Sequence, residues 1–263
     1  MNPFDPATLE PLLKRLGLST IQRTFLQMSV LAEQEGWAYG AFLERLLVEE
    51  VTHRTEARII QQMARAKFPF QATIETFDFT FRSDLKRQML GRFLGPELVS
   101  DNRSLILEGP PGTGKTHLCI AIAYKAIQNG YQARFTTAAA LINDLRSNRD
   151  TDRALKHYIT PQVLVCDEMG YLGYGPDAAD ILFQVVNQRY QKGRPMLFTT
   201  NKALKQWGRV LHDEDLARAI LDRTLHYGEH LKLSGPSYRL KGRKVELEAP
   251  SGEVESTKNS QVG

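Results

Sequence analysis

From Phe42 onward the apolar residues Phe42, Leu43, Leu46, Leu47 and Val51 recur at three-to-four spacing, and Glu, Arg and Gln fill most other positions as far as Arg65. That period gathers the apolar side chains on one stripe of an α-helix and leaves the charged ones to solvent. The chain up to about residue 68 therefore reads as a helical module. It ends at Lys67-Phe68-Pro69-Phe70, because proline disfavours helix in the residue before it. An irregular stretch is expected through Thr80, then another helix from Ser83 to Leu94.

Beyond Leu94 the pattern changes. Short β-rich runs at Leu105–Leu107, Ala133–Thr136, Gln162–Cys166 and Met196–Thr199 alternate with helical stretches at about Thr116–Asn129, Ala138–Arg146 and Asp177–Tyr190. Strands separated by helices pair in parallel, since each connection must cross a face of the sheet, and both faces end up covered. The expected organisation is a helical N-terminal domain at 1–68 serving assembly or a partner, an α/β domain at 69–249, and a small, polar, disordered tail at 250–263. No internal repeat is present.

Composition narrows the class. The 263 residues are 42% hydrophobic and 24% charged, which excludes collagen-like, disulfide-rich and wholly disordered chains. Cys119 and Cys166 fall in a predicted helix and strand and read as small buried thiols, in keeping with a reducing compartment. No run approaches the roughly 18 apolar residues of a membrane span, and Met1-Asn2-Pro3-Phe4-Asp5 lacks the order of a signal peptide. A cytoplasmic protein without membrane contact is the expectation. The net charge of +4 is unevenly spread: residues 1–66 carry seven basic and eight acidic side chains, and residues 202–244 carry ten against five. The basic surplus sits on the α/β part, as a polyanion-binding face requires.

The chemistry lies in that part. Gly109-Pro110-Pro111-Gly112-Thr113-Gly114-Lys115-Thr116 matches G-x-x-x-x-G-K-[ST], between an apolar strand and a helix. Glycines let backbone N–H groups turn inward around phosphate oxygens, the helix N-terminus adds partial positive charge, and the Lys115 ammonium reaches the outer phosphates of ATP. Thr116 supplies a hydroxyl oxygen to Mg²⁺. His117 follows it in the cofactor-binding stretch and reads as a packed helix residue rather than a catalyst. Val163-Leu164-Val165-Cys166-Asp167-Glu168 is a strand ending in two acids, a Walker B pattern. Asp167 suits Mg²⁺ and Glu168 suits polarising the attacking water, because phosphoryl transfer depends on positioned charge. Asn201, after Met196–Thr200, stands where AAA+ ATPases place the water-orienting residue called sensor I. Arg218, Arg223 and Arg239 are candidates for the arginine that completes a neighbour's site, and the residues themselves leave that choice open. The six histidines form no H-E-x-x-H pattern and the cysteines no C-x-x-C, so nothing points to structural zinc.

With these motifs in order, the chain resembles the IstB-like family of AAA+ ATPases, which assist insertion-sequence transposases and are related to the DnaC helicase loader. The resemblance is carried by Leu31–Trp37, Phe42–Leu47, Asp167–Leu172, Leu221-Asp222-Arg223 and Ser237-Tyr238-Arg239. It implies an AAA+ P-loop core behind a small helical domain, a Mg²⁺-dependent ATP hydrolase, a homo-oligomer on double-stranded DNA, and a cognate transposase as partner. It also makes Arg223 the arginine finger and Arg239 sensor II. Relatives line the oligomer's channel between the two nucleotide motifs, where Arg146, Arg149, Arg153 and Lys156 stand ready for phosphate contacts. A replicative helicase loader, preferring single strands, is the alternative expectation.

Overall fold

A computed structural model describes residues 6–81, 85–148, 151–171 and 173–241. The chain opens with three helices, α1 (Pro6–Leu16), α2 (Ser19–Glu35) and α3 (Tyr39–Ala66). Buried Leu13, Ile21 and Leu46 meet Phe25, Met28 and Phe42 in a small core of their own. Leu18, at the head of α2, offers no capping side chain, so the orphan N–H groups find a partner from elsewhere. The buried Glu50 carboxylate accepts from Thr20 N–H at 2.8 Å and Ile21 N–H at 3.0 Å, and pairs with Arg54 at 2.7 Å. α3 then leaves this core. Its last turns carry Ile59, Met63 and the fully buried Ala66 into the core of the α/β part, so one 28-residue helix belongs to both.

Among the described residues five strands follow: β1 (Leu105–Glu108), β2 (Ala133–Thr137), β3 (Val163–Met169), β4 (Met196–Thr200) and β5 (Glu229–Lys232). They form a single parallel sheet in the order β2-β3-β4-β1-β5. Alternate side chains enter opposite cores, as the pleat requires. Leu105, Leu107, Val163, Val165 and Leu197 pack towards α3, α4 (Gly91–Leu94), α5 (Glu97–Ser100) and α6 (Lys115–Gln128). Ile106, Leu164, Cys166, Met196 and Phe198 pack towards α7 (Ala138–Ser147), α8 (Thr151–Ile159), α9 (Ala178–Gln191), α10 (Trp207–Leu211) and α11 (Glu214–Leu225).

The expected helix from Ser83 to Leu94 is a 3₁₀ turn at Arg87–Leu90 running into the short α4, with Ser83 and Asp84 outside the described residues. β5 has no counterpart in the sequence reading. The expected tail at 250–263 lies outside the described residues, as do Arg149, Asp150 and Leu172. Cys119 and Cys166 are buried and unbridged, and burial pushes both thiols up from their ordinary range. Among the described residues no helix is long and apolar enough to cross a membrane.

Candidate nucleotide site

The carboxyl ends of β2, β3 and β4, with the loop that follows β1, open into one cavity of about 620 Å³. Its floor is the loop between β1 and α6. Gly112 and Gly114 adopt φ +77° and +88°, values that β-carbon-bearing residues rarely take. An added β-carbon at Gly112 would sit 1.9 Å from Ser237 Oγ, and one at Gly114 would sit 2.7 Å from the Phe77 ring. The 14-residue α6 starts at Lys115 with no side chain capping it, so its first N–H groups face the cavity as an anion site. The Lys115 ammonium lies among the loop's own oxygens, donating to Gly109 O and Pro110 O at 2.8 Å each.

Beside the loop, Thr116 Oγ1 donates to Asp167 at 2.8 Å. Thr199 Oγ1 donates to the same carboxylate and accepts from Glu168 N–H at 3.0 Å. A hydroxyl and a carboxylate converging on a phosphate-binding loop form the oxygen donor set that Mg²⁺ prefers, with phosphate and water filling its remaining positions. The residues present therefore fit both an anionic nucleotide and the cation.

The strand pairing explains why the two acids point apart. Cys166 pairs with Phe198, but Met169 pairs with Thr200, so β3 spends three residues where β4 spends two. This bulge puts Glu168 at φ +60° and leaves its side chain exposed at the cavity wall, while Asp167 stays buried. Behind the bulge, buried Tyr174 accepts from Gly170 N–H at 3.0 Å and donates to Glu168 O at 3.3 Å. Burial pushes the Tyr174 hydroxyl up to about 12, against the Gly170 hydrogen bond, which pulls it down. Asn201 also lines the cavity, and its Oδ1 is buried with no hydrogen-bond partner among the described residues. Such an oxygen awaits a donor.

Lys115, Thr116, His117, Asp167, Glu168, Asn201 and Arg239 thus share one cavity with most of the glycine loop. His117 packs against Phe77, with ring centroids 5.5 Å apart, and its Nε2 lies 3.2 Å from both Thr76 Oγ1 and Thr73 O. Arg223 is not in the cavity wall. It extends from α11 towards α9, and Arg218 pairs loosely at 3.9 Å with Glu214 and Asp215. In the basic strip, Arg146 is held by Asp177 through Nε at 2.8 Å, whereas Arg153 and Lys156 are exposed on α8. Sequence reasoning missed the roof. Phe70, Thr76, Phe77 and Asp78 close over the loop, Lys241 pairs with Asp78 at 2.6 Å, and Tyr238 meets Phe81 edge-on at 5.2 Å. The aromatic run Phe77-Asp78-Phe79-Thr80-Phe81 was the available signal, being too apolar for a simple linker.

This sheet order and this cavity define a P-loop ATP-binding protein of the AAA+ fold. Two solved structures share it: DnaI, with TM-score 0.54 and 19% identity over 62% of this chain and 92% of that one; and AMPPCP-bound DnaA from Aquifex aeolicus, with TM-score 0.54 and 18% identity over 69% and 58%. At such identities the likeness concerns the fold alone. The chain belongs to the family of IstB-like ATP-binding proteins, whose profile matches residues 11–246. It is 37% identical over 238 residues to the insertion sequence IS5376 ATP-binding protein of Geobacillus stearothermophilus, covering 89% of this chain and 94% of the relative. Against the insertion sequence IS21 ATP-binding protein of Pseudomonas aeruginosa it is 34% identical over 239 residues, 90% of each chain.

Proposed function

We propose that this protein hydrolyses ATP with Mg²⁺, that its copies assemble on duplex DNA under control of that nucleotide, and that the assembly assists a transposase. One observation carries the reading. The cavity offers groups for holding phosphates and placing a water, while Arg223, the charge that would complete the site, lies outside it. A finger that cannot serve its own nucleotide serves a neighbour's, so turnover requires adjoining copies.

In this reading the loop amides and Lys115 bind the phosphates. Thr116 and Asp167 hold Mg²⁺, which supplies charge neutralisation at the phosphoryl oxygens when bound. Glu168, turned outward by the bulge, accepts the proton of the attacking water, and Asn201 Oδ1 orients that water. Arg239 reports nucleotide state within the subunit. The exposed cations Arg153 and Lys156, with Arg149, meet the DNA backbone, and the insertion-sequence origin of the relatives supports a transposase as client.

The test is a salt titration of duplex binding with a non-hydrolysable ATP analogue. An assembly neutralising about six to ten phosphates loses about 10³ to 10⁵ in affinity between 50 and 200 mM salt. Replacing Arg149, Arg153 and Lys156 together by Ala flattens that slope, lowers affinity for all duplex sequences alike and leaves ATP binding intact. Binding that ignores nucleotide, or that prefers single strands, overturns the reading; the latter outcome favours a helicase loader.

A further inference from the structure

We propose that Asn187 is the positioning residue of the arginine finger, aiming Arg223 at the neighbouring copy's nucleotide. The proposal rests on the reading of Arg223 given above. Arg223 Nε donates to Asn187 Oδ1 at 3.0 Å and one terminal nitrogen, Nη1, donates to Ala219 O at 3.2 Å. The Phe183 ring lies against the guanidinium, 4.8 Å from its central carbon. Phe183 and Asn187 are one turn apart on α9, which packs along α11, so both restraints come from the same rigid face. Nε, Nη1 and one face of the guanidinium are thereby engaged inside the subunit. Nη2 takes part in neither hydrogen bond, and its N–H groups remain for a phosphate.

The chemistry of the restraint matters. A long arginine side chain samples many rotamers, and freezing it only when the reaction occurs subtracts from its stabilisation of the transition state. Asn187 fixes it beforehand. An aspartate there would fix it as well, but its negative charge would offset the positive charge the finger must deliver. A neutral acceptor holds the guanidinium and leaves its charge available.

The experiment uses full-length chains on saturating duplex DNA and reads ATP turnover. Asn187→Ala removes a hydrogen bond to a charged group, so kcat falls about tenfold with KM for ATP unchanged. Asn187→Asp, nearly isosteric and safe for the fold, also lowers kcat. Mixing decides where the defect lies. Asn187→Ala subunits mixed with Lys115→Ala subunits recover turnover, because an intact finger from the second serves the intact loop of the first. Asn187→Ala subunits mixed with Arg223→Ala subunits do not, because the only finger present is misplaced. Equal recovery in both mixtures overturns the proposal, as does recovery in neither, which makes Asn187 a requirement of its own subunit's site or fold. Co-assembled Arg223→Ala and Lys115→Ala subunits recover turnover if the finger acts in trans. Failure of that control sinks the finger reading, and the positioning role with it.

Discussion

The hydroxyl of Tyr174 links two ends of one turn, accepting from Gly170 N–H and donating to Glu168 O, and so holds from behind the left-handed residue that exposes the Glu168 carboxylate. Tyr174→Phe keeps the ring in its buried slot and deletes the link. The φ +60° at Glu168 costs about 1–3 kcal/mol and persists only while its surroundings enforce it. The expected result is ATP affinity within about twofold of the parent and hydrolysis slowed about tenfold, a loss of roughly 1.4 kcal/mol. A nucleotide titration beside a turnover assay checks it.

Lys115→Ala and Glu168→Gln should separate binding from chemistry. The first removes the ammonium proposed to hold the phosphates and should leave little ATP binding. The second keeps shape and phosphate contacts, so ATP stays bound while hydrolysis falls by about 10² or more. Equal loss of nucleotide affinity in both variants, with folding intact, contradicts the assigned roles.

Glu50 makes the N-terminal helices sensitive to acid. Burial alone would raise its pKa, but the Ile21 N–H, the Arg54 side chain and the Thr20 N–H together bring it below the ordinary 4.5. A carboxyl group lowered in the folded state stabilises above its unfolded pKa, and that contribution is lost as pH falls through the folded value. Stability of these helices should therefore drop as pH falls below 4.5. Glu50→Gln costs about 1–3 kcal/mol at neutral pH and flattens the dependence. Thermal melts across pH, followed by helix signal, measure both effects.

Arg189 should be the most costly surface-remote position. Its guanidinium is fully buried and donates to Tyr158 O, Pro161 O, Gln162 O and Pro195 O, tying the α8–β3 connection to the start of β4. Burial, then the nearby charge of Arg194, lowers its pKa to about 9. Arg189→Met fills similar volume but orphans those carbonyls, so denaturant unfolding should register a loss of about 3–5 kcal/mol. A loss below about 1 kcal/mol would mean that the carbonyls find other donors.

Much of this architecture was legible because period and punctuation agreed. The runs at Leu105, Ala133, Gln162 and Met196 became β1 to β4, and the glycine loop sits between β1 and α6. β5 was not legible: Glu-His-Leu-Lys carries no apolar run, since an edge strand with half-exposed side chains needs none. The bulge at Glu168 was hidden for another reason. It is a mismatch between β3 and β4, and pairing register belongs to two segments at once. The roof over the loop was hidden likewise, because Asp78 and Lys241 are 163 residues apart. Arg146 stood among the residues expected to contact phosphate, and Asp177, which holds it, lies on the far side of β3 in sequence.

The 28 residues of α3 run without a proline from the N-terminal core into the core beneath the sheet. At 1.5 Å per residue the helix is about 42 Å long, and its last turns are clamped beside α6 and β2. It is a stiff boom on a short mount. Any rotation of the clamped end is therefore multiplied along the helix, and Tyr39 at the far end moves most.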